Sequence, residues 1–358
     1  MTYFAPIFIS LVSFLLGKDE VEIVFAGDAM QHTAQIDASR NADGTHSYDE
    51  CFANIADYVS SADYAVVNLE TPLGGKPYRG YPCFSAPDSY SQALADAGFD
   101  MMLTSNNHSL DRLDAGVVRT LDVLDKQGIA HVGTYRNKAE RDSVLPIIKD
   151  INGFKVAFLN YTYGTNGIEI KGDVVVDYID RELIASDIAR SREAGAEIVT
   201  IAIHWGNEYQ LLPHSSQKSL ADFLMDQGVD LIIGGHPHVI QPMEVRHSEK
   251  FNKDILLVYS LGNFISNMKT RDTRGGAMIK VKLTRDRNGI ARFDNASYRL
   301  VFTMPPCDGN KNFILYPAEY CPNNEWRDKC EDFMRSAEAI FNKHNINVPL
   351  DTEIFQMK

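Results

Sequence analysis

Near-continuous apolar runs alternate with amphipathic stretches through the first two thirds of the chain, and the two periods predict strand and helix in turn. Residues 21–27 (VEIVFAG), 64–69 (YAVVNL), 100–106 (DMMLTSN), 197–203 (EIVTIAI) and 229–235 (VDLIIGG) read as buried strands. Residues 48–61 read as a helix with Phe52, Ile55, Ala56 and Val59 on one face. Further helices are predicted over 88–97, 114–127, 180–194 and 216–227, and Gly128 suits a C-terminal stop. Asn152-Gly153 between 145–150 and 154–160 signals a hairpin, and 255–260, 277–283 and 291–300 are strand-like. A chain that begins as strand–helix repeats and ends mostly in strands predicts two packed sheets with helices outside, rather than one doubly wound sheet. The expected division is 1–17 as an apolar leader, 21–303 as the main domain and 304–358 as a C-terminal extension with one helix over 324–344.

Composition adds limits to that picture. The chain has 358 residues, 44% hydrophobic and 23% charged, enough for one large core with room for a small second unit. No internal repeat is evident, which sets solenoids and propellers aside. The formal net charge of −13 argues against nucleic acid as a partner, because a phosphate backbone rewards clustered Lys and Arg. An acidic polymer would likewise need a local basic patch. Residues 3–16 are almost wholly apolar before Lys18-Asp19-Glu20, so 1–17 is read as an export signal or membrane anchor. The expected location is membrane-anchored or extracytoplasmic, with an apolar segment packed on a cytoplasmic protein as the alternative. The 5 cysteines are an odd number, and Cys51 with Cys83, plus two among Cys307, Cys321 and Cys330, are candidate bridges.

The candidate chemistry lies where the predicted strands end. Asp28, Glu70, Asn107 with His108, His204, and His236 with His238 each follow or close one of the five runs. In an α/β sheet, ligands bind in the crevice beyond the carboxyl ends of the strands. Oxygen and nitrogen donors delivered there suit two divalent cations, with Glu70 as bridge and Asp28, Asn107, His204, His236 and His238 as further ligands. His236-Pro237-His238 is expected to aim both imidazoles to one side, as positions i and i+2 of extended backbone do.

Other residues are assigned around that centre. His108 is a candidate proton donor to a leaving oxygen, with Asp111 to orient it, although 109–114 also suits a capped helix start. His32, four residues past Asp28, shares a helical face with it if that segment is helical, and is then a transient ligand or a support behind the ligands. Asn68 shares the Glu70 face and is placed to bond that ligand carboxylate, while Asn263 ends a strand and is placed to position substrate or brace the site. Asn207, Glu208 and Tyr209 are read as rim residues. Residues 73–87, rich in Gly, Pro and aromatics, read as a substrate lid or a plain long connection, and Arg79 there, with Arg112, Arg271 and Arg274, is an anion contact or a solvated charge.

The chain resembles the CapA family of capsule and poly-γ-glutamate biosynthesis proteins, within the calcineurin-like metallophosphoesterases. The resemblance rests on Gly27-Asp28-Ala29-Met30, Asn68-Leu69-Glu70-Thr71-Pro72 and Ser105-Asn106-Asn107-His108-Ser109-Leu110-Asp111. It continues through His204-Trp205-Gly206-Asn207-Glu208-Tyr209, Gly234-Gly235-His236-Pro237-His238-Val239 and Ser260-Leu261-Gly262-Asn263-Phe264. It implies a four-layer α/β/β/α sandwich with a two-metal cleft holding manganese, iron or zinc. It also implies a role in making or exporting an anionic surface polymer in bacteria, beside a membrane synthase or export complex. The sequence departs from ordinary metallophosphoesterases: Met30 stands where Asp-x-His has its histidine, and Asn68 with Glu70 replaces the usual second acidic motif. Hydrolysis of a phosphoester by metal-activated water is the expected chemistry. A non-catalytic subunit that binds the polymer or a synthase is the alternative, and a general phosphodiesterase with no capsule role is a third reading.

Overall fold

A computed structural model describes residues 18–353 other than 308, 322 and 323. The leader reading of 1–17 falls outside the described residues. Two sheets face each other. In spatial order the first runs Ile314–Pro317, Ala291–Met304, Gly275–Arg285, Glu20–Ala29, Tyr64–Leu69, Met101–Leu103 and Ala130–Val132, with Asn263–Ile265 added beside Glu20–Ala29. The second runs Ile240–Ser248, Lys253–Leu261, Leu231–Gly235, Ile198–His204, Phe154–Thr162 and Ile147–Ile151. Val21, Ile23, Phe25 and Val66 from the first sheet meet Ile201, Ile232 and Leu257 from the second in one dry core. On the outer face of the first sheet, Val24, Val67 and Met102 pack under helices Ala53–Ser61 and Asp88–Asp96 through Ile55, Val59, Tyr90 and Leu94. Ile184 and Ile188 of helix Arg181–Glu193 and Leu220 and Leu224 of helix Ser215–Asp226 join the core that includes the second sheet. This is the mixed α/β, two-sheet architecture that the alternating pattern predicts.

Register brings the strand ends level. Asp28 lies opposite Asn68 and Asn263, and Gly235 lies opposite His204 in parallel pairs. The ladder between Glu20–Ala29 and Tyr64–Leu69 shifts between Ala26 and Asp28, at Gly27. A Cβ at Gly27 would sit 2.0 Å from the Gly262 carbonyl oxygen, so that close backbone approach requires glycine.

Some elements differ from expectation, each for a local reason. The strand expected over 100–106 stops at Leu103. Beyond it the Ser105 N–H donates to Asn160 Oδ1 at 2.7 Å and the Asn106 N–H to Ser109 Oγ at 2.9 Å, so side chains replace the ladder. The helix expected over 48–61 is a short Asp49–Cys51 turn followed by Ala53–Ser61. Residues 109–112 form turns rather than a helix start, and helix Leu113–Gln127 begins after them. The C-terminal residues contribute the edge strand Ile314–Pro317 as well as helix Arg327–His344. Cys321 and Cys330 form a disulfide, whereas Cys51 and Cys83 are not bridged: Cys51 is buried beneath helix Ala53–Ser61 among Tyr48, Phe52 and Tyr90, and Cys83 lies in the lid loop. Among the described residues, no helix is long and apolar enough to cross a membrane.

Candidate metal centre

Asp28 closes the strand Glu20–Ala29, and Glu70 is the first residue past Tyr64–Leu69. Both are fully buried. A buried carboxylate ordinarily accepts several hydrogen bonds. Asp28 does: Oδ1 accepts from the Asn68 amide at 2.8 Å and Oδ2 from the His236 N–H at 3.2 Å. Glu70 does not, for neither of its oxygens has a hydrogen-bond partner among the described residues. Its Oε1 instead faces His204 Nε2 at 3.6 Å and His238 Nε2 at 3.8 Å. Those separations are too long for hydrogen bonds and suit donors that share a cation.

The imidazoles converge from the second sheet. His204 ends Ile198–His204, and its Nε2 lies 2.8 Å from Asn107 Oδ1. The His204 and His236 ring centroids are 4.8 Å apart, and those of His236 and His238 6.0 Å. His238 Nδ1 lies 3.5 Å from Asp28 Oδ2 and 3.1 Å from Asn263 Oδ1, so Asn263 braces the ring as its position suggested. His236 Nδ1 has no hydrogen-bond partner among the described residues. The two histidines do not reach the cavity through extended backbone. His236 has φ 96° and His238 φ 56°, left-handed values that side chains with a Cβ adopt only under constraint. A Cβ at the preceding Gly235 would lie 2.8 Å from Asp28 Oδ1, which explains glycine there.

Charge at the site is uneven. For Asp28, burial acts to raise the carboxyl, but the His238 hydrogen bond, the His204 and His238 charges and the Asn68 amide bring it down to about 2. Burial and then the Asp28 charge push Glu70 well above the usual carboxylate range. Burial brings His204 down to about 3 and, with its histidine neighbours, His236 to about 2, so both imidazoles are neutral at physiological pH. Burial also opposes charge on His238, yet Glu70 and Asp28 hold it up at about 9. Two carboxylates and three imidazoles, with the Glu70 oxygens and His236 Nδ1 lacking hydrogen-bond partners among the described residues, form a set that divalent cations fit. Asp28, Glu70 and His238 offer donors within 4.8 Å of one another, and so do Glu208, His236 and His238. Glu208 was read from sequence only as a rim residue. It sits four residues past His204, and its signal was the carboxylate in the His-Trp-Gly-Asn-Glu-Tyr motif.

The remaining assigned residues fall around this core. His108 is buried with Nδ1 at 2.8 Å from Asp111 Oδ2, and Asp111 is held in turn by the Phe84 N–H at 2.7 Å. That fixes His108 with Nε2 free of the carboxylate. Phe84 stacks edge-on against His108 at 4.6 Å, so the lid segment lies over this dyad. Asn68 bonds Asp28 rather than Glu70, because Glu70 leaves the strand. His32 is not on a helix face with Asp28. It stands at the N-terminus of helix Thr33–Ser39, where its N–H donates to Gln35 Oε1 at 2.8 Å, and its Nδ1 accepts from the Asn267 N–H at 3.2 Å. Burial brings His32 down to about 4. Arg79 pairs its backbone with Ser85 and leaves its side chain exposed, with no ion pair among the described residues.

A profile described as "Bacterial capsule synthesis protein PGA_cap" matches residues 22–268, more than half of the chain. The chain belongs to that family. Among curated members, the capsule biosynthesis protein CapA of Bacillus anthracis is 27% identical over 290 residues, spanning 77% of this chain and 67% of the relative. The PGA biosynthesis protein CapA of Bacillus subtilis is 29% identical over 284 residues, spanning 77% and 70%. Among solved structures, the NAD nucleotidase NadN of Haemophilus influenzae aligns with a TM-score of 0.50 at 12% identity. That alignment covers 94% of this chain but 65% of the nucleotidase, and the likeness is one of fold. The family match takes in every donor at the centre, from Asp28 to Asn263.

Proposed function

We propose that this family member hydrolyses a phosphoester at a two-metal centre outside the cytoplasm, in the synthesis or export of an anionic capsule polymer of the poly-γ-glutamate type. One observation carries the hydrolase part: Glu70, buried with both oxygens orphaned, lies between His204, His238 and Asp28. Asp28, Glu70, Asn107, His204, His236 and His238 would hold the ions, with Glu208 available to one of them. When bound, divalent ions supply the Lewis acidity that activates water and offsets phosphoryl charge. The chain's own residues then do the rest. Asp111 fixes His108 through Nδ1, leaving Nε2 to hand a proton to the departing oxygen. Phe84 packs edge-on against the His108 ring. The capsule part is supported by family membership and by the names of the Bacillus relatives. Location beyond the cytoplasm is supported by the Cys321–Cys330 disulfide, a bond that persists in oxidising compartments.

A second reading, a non-catalytic subunit that binds the polymer or a membrane synthase, draws on the same relatives, whose names speak of biosynthesis and not of hydrolysis. Metal analysis of purified protein, then a screen of phosphomonoesters and phosphodiesters with manganese, zinc and iron, separates the two. Two metals per chain and turnover that His108→Asn lowers about 10²–10⁴-fold at unchanged metal content favour the hydrolase. Metal without turnover, together with polymer binding, favours the subunit.

A further inference from the structure

Three large aromatic side chains stand in water at the opening of the centre. Tyr81 is 73% exposed, Tyr209 55% and Tyr163 47%. Single exposed apolar residues are ordinary, whereas these three each lie beside the donor set or the Phe84 ring that abuts it. Each is also fixed by its backbone. Tyr163 directly follows the strand Phe154–Thr162, and its N–H donates to the His204 carbonyl at 3.0 Å. The Tyr209 N–H donates to the Pro237 carbonyl at 2.8 Å, tying it to the His236-Pro237-His238 turn. Tyr209 holds φ 65° to do so, a strained value for a bulky residue. Tyr81 lies in the lid between Arg79 and Ser85, which pair across it.

The rings surround the donor set. The Tyr163 ring centroid is 4.5 Å from His236 and 6.4 Å from His204. Tyr209 is 6.3 Å from His238. Tyr81 is 6.4 Å from Phe84, which itself abuts His108.

We propose that Tyr81, Tyr163 and Tyr209 form a ring-binding mouth, and that the phosphoester received at the centre carries an aryl or heteroaryl group beside its phosphoryl group. The proposal rests on the reading above that the metal centre takes a phosphoryl group. Stacking on an aromatic face tolerates many planar rings and discriminates against aliphatic esters. Tyr163, packed on His236 at 4.5 Å, is the ring placed to meet an aryl group carried on the ester oxygen. Tyr81 and Tyr209 flank its outer edge.

The test uses two non-hydrolysable probes of equal charge, phenylphosphonate and methylphosphonate, titrated calorimetrically into the manganese-loaded full chain. Phenylphosphonate should bind about tenfold more tightly, the order expected of one stacking contact. Tyr163→Phe should keep that preference. Tyr163→Ala should abolish the ratio of phenylphosphonate to methylphosphonate affinity, both probes being measured on the same manganese-loaded variant. Equal affinities in the native chain overturn the proposal. So does a preference that survives when all three tyrosines are alanine, or failure of both probes to bind protein that holds manganese. Failure to bind manganese at all overturns the metal centre itself, and with it the proposal.

Discussion

At Glu70 two unfavourable conditions coincide, since a fully buried carboxylate lacks hydrogen bonds among the described residues and faces the like charge of Asp28. Folding tolerates such a group where a cation resolves it. Glu70→Gln removes the charge and keeps the shape, so the chelated variant should be at least as stable as the chelated native chain. Manganese should separate them. At a hundredfold excess over its dissociation constant it stabilises the native chain by about 2.7 kcal/mol, and the variant should lose most of that. Thermal melts with and without chelator measure both; a variant less stable when chelated, yet equally stabilised by manganese, refutes the role. His238 adds a pH dependence. Its folded value near 9 exceeds the ordinary 6.5, so its contribution is complete below pH 6.5 and fades as pH rises through 9. Glu70, also raised, loses stability in the same direction. The metal-free melting temperature should therefore fall between pH 6.5 and 9. Manganese should flatten the fall, because it binds imidazole and carboxylate without their protons. His238→Gln should reduce the fall even without metal.

The glycines of the strand ends show which parts of the centre are packing and which are chemistry. A Cβ at Gly27 meets the Gly262 carbonyl oxygen at 2.0 Å, which the sheet itself cannot relieve, whereas one at Gly235 meets Asp28 Oδ1 at 2.8 Å. Gly27→Ala should lower stability by about 1–3 kcal/mol, the usual cost of overpacking. Gly235→Ala should leave the chelated fold nearly unchanged and weaken manganese binding by displacing Asp28. Urea titrations and metal titrations of the two variants should give opposite rankings; the same ranking in both would show that the two glycines serve one purpose. The sequence carried most of this arrangement because apolar strands announce their own ends, and Asp28, Glu70, His204, His236 and His238 all stand there. It carried less where polar side chains take over from the backbone. Ser105, Asn106 and Ser109 end a strand that hydropathy extends, and the positive φ of His236 and His238 has no pattern in a sequence where neither is glycine. The strand Ile240–Ser248 escaped notice for the same kind of reason. Pro242 sits inside it, which only an edge position allows, and it does lie at the edge of the second sheet. Glu208 was quoted in a motif but assigned no donor role, since it follows a turn and not a strand.

Donors reach the centre from both sheets: Asp28, Glu70 and Asn107 from the first, His204, His236 and His238 from the second. Bound ions would thus strengthen a junction between two layers that already meet through apolar contacts and a few hydrogen bonds, such as Ser105 N–H to Asn160 Oδ1, and metal loss should lower the melting transition of the whole fold instead of loosening one loop. A different brace acts at the C-terminal end. Cys330, Phe333, Ala337 and Phe341 of helix Arg327–His344 share a core with strands of both sheets. The disulfide from Cys330 to Cys321 fixes the start of that helix across a sequence separation of 9 residues. Loop-closure entropy for a link of that length is worth about 2–3 kcal/mol. Selective reduction, or the Cys321→Ser and Cys330→Ser pair, should lower the melting temperature by that order while manganese stoichiometry stays unchanged. Mapping of unreduced peptides from the purified protein should recover the 321–330 link. If reduction instead releases manganese, the helix and the centre are mechanically coupled, and the two braces act as one; unchanged stoichiometry keeps them separate, with the disulfide serving stability and the strand ends serving chemistry.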